Sequence, residues 1–339
     1  MSEHPRQDTG SETRRPLVSV VIPAFNAEAT LAETVASAQR QSLSDIEILI
    51  VDDASTDATL ALAHRLAAQD PRVKVIAAGD NRGPAGARNL GLAGATGDWI
   101  ALLDADDAFE AERLTQLVEM ARDCGADLLA DNLLLEDEDG RTEPMLPPSE
   151  TGSCAPMSAA EFLLGNLPDP ARPRKSYGFL KPLMSRDFLL RHGLRYDEEL
   201  RFAEDFAFYL ACLTAGARFY LSQQPLYRYR LRGDSLTARH STEDLRRLQG
   251  VDHRLLRDPG RAGGRDFLVA LRRHKQSIDQ RLQWRVVIDE VKRGAWLSAL
   301  AAGCKGWHVF TYVAGQLAVE AWRRLGPGRG AGRASAVET

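Results

Sequence analysis

Trp99-Ile-Ala-Leu-Leu-Asp104-Ala-Asp106-Asp107 is an apolar run of five residues that ends in three carboxylates within four positions. Apolar strands that release acids at their carboxyl ends build ligand or metal sites, because open α/β sheets bind ligands in the crevice beyond those ends. Asp104 and Asp106 are two apart, so a continuing strand would point both the same way. A bend after the strand instead lets them share one divalent cation with a diphosphate. Taken alone the pattern also fits a solvated turn or a helix cap, so the neighbouring segments decide its meaning.

Upstream, Leu17-Val-Ser-Val-Val-Ile-Pro-Ala24 is β-branched and almost continuously apolar, which predicts a buried parallel strand closed by Pro23. Asn26 is expected to cap a helix to about Gln41, with Leu31, Val35 and Ala38 at helical spacing. Ile46-Glu-Ile-Leu-Ile-Val-Asp52-Asp53 predicts a second buried strand ending in acids, and Ser55-Thr56-Asp57 supply cap chemistry for a helix through Ala68. Val73 to Ile76 reads as a third strand. Asn81 to Asn89 is a Gly-rich turn leading into a short helix through about Ala95. Strands and helices alternating at this pace predict a parallel sheet with right-handed crossovers and a ligand at its carboxyl edge.

Downstream, a helix is expected from Glu110 to Cys124, then a strand from Asp127 to Leu135 turned by Asp137 to Gly140. Thr142 to Pro156 and Pro168 to Lys175 are rich in turn residues and read as loops, either facing an acceptor or, the favoured reading, merely connecting. Phe202 to Leu213 predicts a helix with Glu204 and Asp205 in its first turn. Acids there suit the helix dipole, and one of them can also face the crevice as a base. Arg218 to Arg230 reads as a strand pair or an edge. From Ser241 onward the chain is helical and basic, and Trp284, Val287, Ile288, Val291, Trp296 to Leu300 and Trp307 to Trp322 form apolar stripes among the charges. Such stripes either pack on the preceding domain or form cationic amphipathic helices that attach to anionic membranes.

The 339 residues are 44% hydrophobic and 27% charged, with a formal net charge of -4, which argues against a nucleic-acid partner. Cys124, Cys154, Cys212 and Cys304 are scattered without metal-binding or disulfide spacing, which suits a reducing cytoplasm. Residues 1–15 are polar and mixed in charge, and read as a disordered lead, and residues 326–339 as a disordered Gly/Arg/Ala tail. No uncharged apolar stretch reaches the roughly 20 residues that span a bilayer.

In this order the pieces resemble the family two glycosyltransferases, nucleotide-diphospho-sugar transferases of GT-A fold. The resemblance rests on Val18-Ser-Val-Val-Ile-Pro-Ala-Phe-Asn26, Val51-Asp-Asp-Ala-Ser-Thr-Asp57, Gly86-Ala-Arg-Asn-Leu-Gly91 and Leu103-Asp-Ala-Asp-Asp107, and covers about residues 16–238. Within the family the chain looks like bacterial exopolysaccharide enzymes of the succinoglycan type. The resemblance implies an α/β GT-A fold, a Rossmann-like, mostly parallel sheet flanked by helices, carrying a helical C-terminal extension over residues 239–325. It implies that Pro23, Ala24 and Asn26 line the base, that Asp52 and Asp53 accept from base and ribose, and that Arg88 approaches the nucleotide. Asp104 would touch ribose or a metal-bound water, and Asp106 would ligate Mg²⁺ or Mn²⁺ on the diphosphate. Asp205 maps onto the family's general base, with Glu204 as its neighbour or understudy. Arg232 and Ser235 fall where the family has a basic segment closing over the diphosphate.

The implied activity is inverting transfer of a sugar from a nucleotide diphospho-sugar, UDP-glucose being the first guess, to a saccharide or lipid-linked saccharide acceptor. The implied location is the cytoplasm, at the inner face of the membrane if the C-terminal helices attach there. Gln283-Trp284-Arg285 is not the Gln-x-x-Arg-Trp motif of processive members, so one sugar per encounter is expected. Pro23 to Thr30 contains no Gly, Lys or Arg, which disfavours a sugar nucleotidyltransferase or a dinucleotide-binding dehydrogenase. The remaining alternative is a catalytically inactive sugar-nucleotide-binding or scaffold protein.

Overall fold

The computed structural model describes residues 15–147, 154–169, 171–172, 175–231, 241–304 and 306–325. The expected lead and tail lie almost wholly outside these residues, and Arg232 and Ser235 entirely so. In chain order the elements are β1 (Val18–Ala24), α1 (Leu31–Gln39), β2 (Ile46–Asp52), α2 (Thr59–Gln69), β3 (Val73–Ala77), α3 (Gly83–Gly94), β4 (Trp99–Leu102) and β5 (Ala108–Phe109). Then come α4 (Arg113–Cys124), β6 (Leu128–Glu136), β7 (Thr142–Pro144), β8 (Cys154–Pro156), α5 (Ala159–Gly165), β9 (Leu183–Ser185), α6 (Arg186–Arg191), α7 (Glu204–Thr214) and β10 (Phe219–Arg230). Four helices follow: α8 (Thr242–Arg257), α9 (Arg265–Lys292), α10 (Trp296–Gly303) and α11 (Trp307–Leu325).

One mixed sheet runs β3-β2-β1-β4-β9-β6-β10-β5, with β7 against β6 and β8 against β10. Strands β3, β2, β1 and β4 are parallel, so the acid-bearing ends of β2 and β4 flank the end of β1. The burial of β1 and β2 along almost their whole length explains their near-continuous apolar sequence, since helices cover both faces of such strands. Helix α3 lies so close to β1 that a Cβ on Gly91 would sit 2.2 Å from the Val21 side chain. Strand β9 runs antiparallel between β4 and β6 and carries the chain from the parallel half into the β6–β10 half.

Several local expectations are revised. Pro23 does not close β1 but pairs in register with Val51, one residue before the strand ends. Asn26 does not cap α1, which begins at Leu31 after Thr30. It adopts φ 50°, and its side-chain oxygen accepts from the Thr56 N–H at 2.8 Å and its hydroxyl at 3.2 Å, tying the loop after β1 to the loop after β2. Thr142 to Pro156 is not all loop, because β7 and β8 open and close it. Arg218 to Arg230 is neither a pair nor an edge. It holds one long strand, β10, paired in parallel with β6 along its length and antiparallel with β8 and β5. Its register shifts around Pro225, which has no N–H to give to a ladder.

The main core extends from the sheet into the C-terminal helices. Leu248 of α8 and Phe267, Ala270, Leu271 and Ile278 of α9 are buried in it, and His274 of α9 stacks on Phe206 of α7 with ring centroids 4.6 Å apart. A second, small cluster of Val287, Ala299, Ala302, Val309 and Val313 joins the end of α9 to α10 and α11.

Candidate active site

The site is built where the carboxyl ends of β1, β2 and β4 meet the first turn of α7. Asp104 follows β4, Arg88 comes from the middle of α3, Lys181 from the segment before β9, and Glu204 and Asp205 from the start of α7. Lys181 Nζ lies 3.0 Å from Asp104 Oδ2 and 2.6 Å from Asp205 Oδ2. Arg88 donates from one terminal nitrogen to Asp104 Oδ1 at 2.9 Å and from the other to Glu204 Oε1 at 2.6 Å, and it comes within 3.5 Å of Asp205. Tyr196 donates its hydroxyl to Asp205 Oδ1 at 3.1 Å. Three carboxylates thus surround two buried cations, all drawn from segments remote in sequence.

For Arg88, Asp104 and Lys181 burial opposes the charge, and their mutual attraction overcomes it. For Asp104 the Lys181 and Arg88 charges outweigh desolvation and hold its carboxyl well below the usual range. Lys181 is desolvated as well, yet Asp104 and Asp205 push its ammonium well above the ordinary lysine value. Asp107 is pushed the other way. Burial and then the charges of Asp104 and Asp106 raise it well above the carboxylate range, against hydrogen bonds from the Tyr227 hydroxyl at 2.7 Å and the Arg230 N–H at 2.9 Å. The same Tyr227 hydroxyl accepts from the Asp104 N–H at 3.1 Å, so β10 pins the turn that carries the acids.

At the end of β2 the two acids differ. Asp53 accepts from the N–H groups of Arg82 at 2.9 Å and Gly83 at 2.8 Å, and Gly83 takes φ 74° at this turn into α3, a conformation that suits glycine. Asp52 is buried and accepts from the Ser55 N–H at 3.2 Å through Oδ2, while Oδ1 is buried without a partner. Arg88 Nε is likewise buried and unpartnered. Unmatched polar atoms of this kind cost about 1–3 kcal/mol each until a ligand or water meets them. Ala54 and Ala203 hold φ 58° and 57°, and with Asn26 they are the described non-glycine residues at positive φ. All three lie in the loops that frame the site, where backbone strain commonly accumulates.

The structure therefore brings Arg88, Asp104, Glu204 and Asp205 together and sets Pro23, Ala24, Asn26, Asp52 and Asp53 along the adjoining strand ends. Asp106 is half-buried in the turn after Asp104. Arg88, expected to reach toward a nucleotide, spends its terminal nitrogens on carboxylates. Lys181, Tyr196 and Tyr227 were not anticipated. Lys181 had one signal, as a lone cation inside Gly178-Phe-Leu-Lys-Pro-Leu-Met184, because a buried lysine is rare unless paired.

Residues 19–163 match the model of glycosyl transferase family 2. Over 289 residues the chain is 32% identical to succinoglycan biosynthesis protein ExoO of Rhizobium meliloti (strain 1021), an overlap of 84% of this chain and 80% of that one. The chain belongs to glycosyl transferase family 2. It is also 37% identical over 281 residues to succinoglycan biosynthesis protein ExoU of the same organism, covering 80% and 78% of the two chains. Its fold matches residues 1–349 of S. aureus TarS in complex with UDP-GlcNAc, with a TM-score of 0.61, 18% identity and 91% of each chain covered. It also matches the mannosyltransferase PcManGT of Pyrobaculum calidifontis in complex with GDP-Man and Mn²⁺, with a TM-score of 0.56, 20% identity and 96% and 85% coverage. The fold is thus that of GT-A glycosyltransferases. Among the described residues no helix is long and apolar enough to cross a membrane.

Proposed function

We propose that the chain transfers one sugar per encounter, with inversion, from a uridine diphospho-sugar to a hydroxyl of a saccharide or lipid-linked saccharide in exopolysaccharide assembly. The observation that carries this reading is the meeting of Asp104 and Asp205 across Lys181, at 3.0 and 2.6 Å. It sets the acid proposed for the diphosphate end of the donor beside the acid proposed for the acceptor.

Asp52 Oδ1, buried and unpartnered, is the acceptor that a base N–H would satisfy, with Pro23, Ala24 and Asn26 beside it. Asp53 supports that wall by holding the backbone of Arg82 and Gly83. Arg88 and Lys181 keep Asp104 ionised and hold Glu204 and Asp205 in place through ion pairs, which sets the geometry before substrate arrives. Asp205 then takes the proton of the attacking hydroxyl as the new bond forms. Without that transfer, a hydroxyl whose pKa lies far above neutrality is a poor nucleophile. Glu204, bound to Arg88, serves mainly to orient it.

The acid turn fits a hard divalent cation. Asp104 and Asp106 offer carboxylate oxygens and Asp104 is held charged, while Mg²⁺ or Mn²⁺ beside a diphosphate needs only one or two protein carboxylates. When bound, such a cation neutralises charge on the departing diphosphate. The succinoglycan biosynthesis relatives support a place in polysaccharide synthesis, the UDP-GlcNAc complex of TarS supports a uridine donor, and UDP-glucose is the first donor to test.

Calorimetry of the chain against nucleoside diphosphates, with Mn²⁺ and with chelator, tests the reading. Selective UDP binding that weakens on chelation supports it. A folded protein that binds none would instead favour a scaffold that has lost catalysis.

A further inference from the structure

Helices α10 and α11 invert the usual arrangement of a surface helix. In α10 the small residues Ala299, Ala302 and Gly303 are buried, whereas Trp296, Leu297 and Leu300 are 64%, 84% and 66% exposed. In α11 Val309 and Val313 pack inward, whereas Trp307, Phe310, Ala314 and Leu317 form an exposed stripe at spacings of three and four. Trp307, 77% exposed, stacks on Phe310 with ring centroids 5.8 Å apart. Exposed apolar side chains in this number mark an interaction face. It is carried by the small second cluster, outside the core that supports the site.

Charge identifies the partner. No Asp or Glu occurs from Val291 to Val319, and from Val291 to Thr339 there are seven Lys or Arg against two Glu, in a chain with 43 basic and 47 acidic residues overall. The basic excess is therefore concentrated in the stretch of sequence that carries the apolar face. A second copy of this chain would bring the same positive charge against itself, which opposes a symmetric dimer through this face. Exposed indoles and leucines in a sequence stretch with a basic excess match the boundary between acyl chains and anionic headgroups.

We infer that the outer faces of α10 and α11 seat the enzyme on an anionic lipid surface, lying in the interface without crossing it. This goes beyond the transfer chemistry and does not depend on it.

The test is co-sedimentation of the full chain with vesicles of phosphatidylcholine alone or with added phosphatidylglycerol. Binding is expected only to the anionic vesicles, weakening as salt is raised. Trp296→Ser with Leu297→Ser and Leu300→Ser, and separately Trp307→Ser with Phe310→Ser, should each lower binding about tenfold or more with melting unchanged. These side chains are exposed, so their loss should cost the fold little. In the unmutated chain, tryptophan fluorescence should be quenched by brominated lipid in the same vesicles. Failure to bind anionic vesicles, binding unaffected by both sets of substitutions, or no quenching would each overturn the inference. So would a solution dimer that the same substitutions convert to monomer, because a second copy would then cover the face.

Discussion

Glu47 and Asp104 are carboxylates at opposite edges of one sheet, and they are built in opposite ways. Glu47, near the start of β2, is saturated. Its Oε1 accepts from the Ser19 hydroxyl at 2.6 Å and from the Thr96 N–H and hydroxyl at 2.7 Å each, and its Oε2 meets Lys74 Nζ at 2.7 Å. Although burial resists its charge, the lysine, hydroxyl and amide donors bring it down to about 2. Asp104, beyond the end of β4, shares two buried cations with Glu204 and Asp205, beside an Asp52 oxygen and an Arg88 nitrogen that have no partner. The amino edge is a finished piece of structure, while the carboxyl edge holds unmatched polarity and three positive-φ residues. A buried charge by itself says nothing of function, and neither does one unmatched atom, since Arg113 Nη1 in the core is also unpartnered; here two such atoms lie at one sheet edge among shared charges.

The contrast breaks first if Asp205 proves to be structural like Glu47. Asp205→Asn should lower turnover by about 10³–10⁴-fold while UDP affinity, read by calorimetry, barely moves. Near-normal turnover would hand the proton to Glu204. Arg113 and Asp131 give the comparison a pole in the core, being fully buried and joined at 2.7 and 2.9 Å, with Arg113 also donating to the Lys181 carbonyl and leaving Nη1 unpartnered. Arg113→Met strands a buried carboxylate and should cost about 3–5 kcal/mol in urea unfolding. The folded fraction should nevertheless bind UDP as before.

Asp106→Ala should abolish the metal-dependent part of UDP affinity, about tenfold or more, and leave melting unchanged. UDP binding that stays the same with Mn²⁺ present would remove the cation from Asp106.

Glu47→Gln should have the smallest effect, about 1–2 kcal/mol at neutral pH. Because the folded state depresses this acid, its contribution is full above the ordinary glutamate value near 4.3 and is lost as pH falls through about 2. The stability gap between the two proteins, measured by urea unfolding, should therefore close across that window. A gap unchanged at pH 2 would mean that the carboxylate's charge contributes nothing there.

Much of the parallel half was legible because burial on both faces leaves a one-dimensional signature, and β1 and β2 carry it residue by residue. The rest was not, for identifiable reasons. Asn26 reads as a helix cap because asparagine favours caps, but its oxygen is claimed by Thr56, thirty residues away, which no local rule can see. Strand β9 has only three residues, directly after Lys181-Pro182, too short to show a period. Strand β10 looked broken because Pro225 interrupts its register without ending it.

By itself the sequence determined the strand-helix alternation, the family motifs, and the presence of Asp104, Glu204 and Asp205, because apolar periodicity and residue type are local properties. Only the tertiary structure decided that Lys181 would join Asp104 to Asp205, that Arg88 would hold Asp104 and Glu204, that Asp53 would brace a turn while Asp52 kept an open oxygen, and that α10 and α11 would face outward. Those outcomes depend on which distant groups are desolvated together. Coulomb attraction between buried charges is strong at 3 Å and has no counterpart in the spacing of residues along a chain.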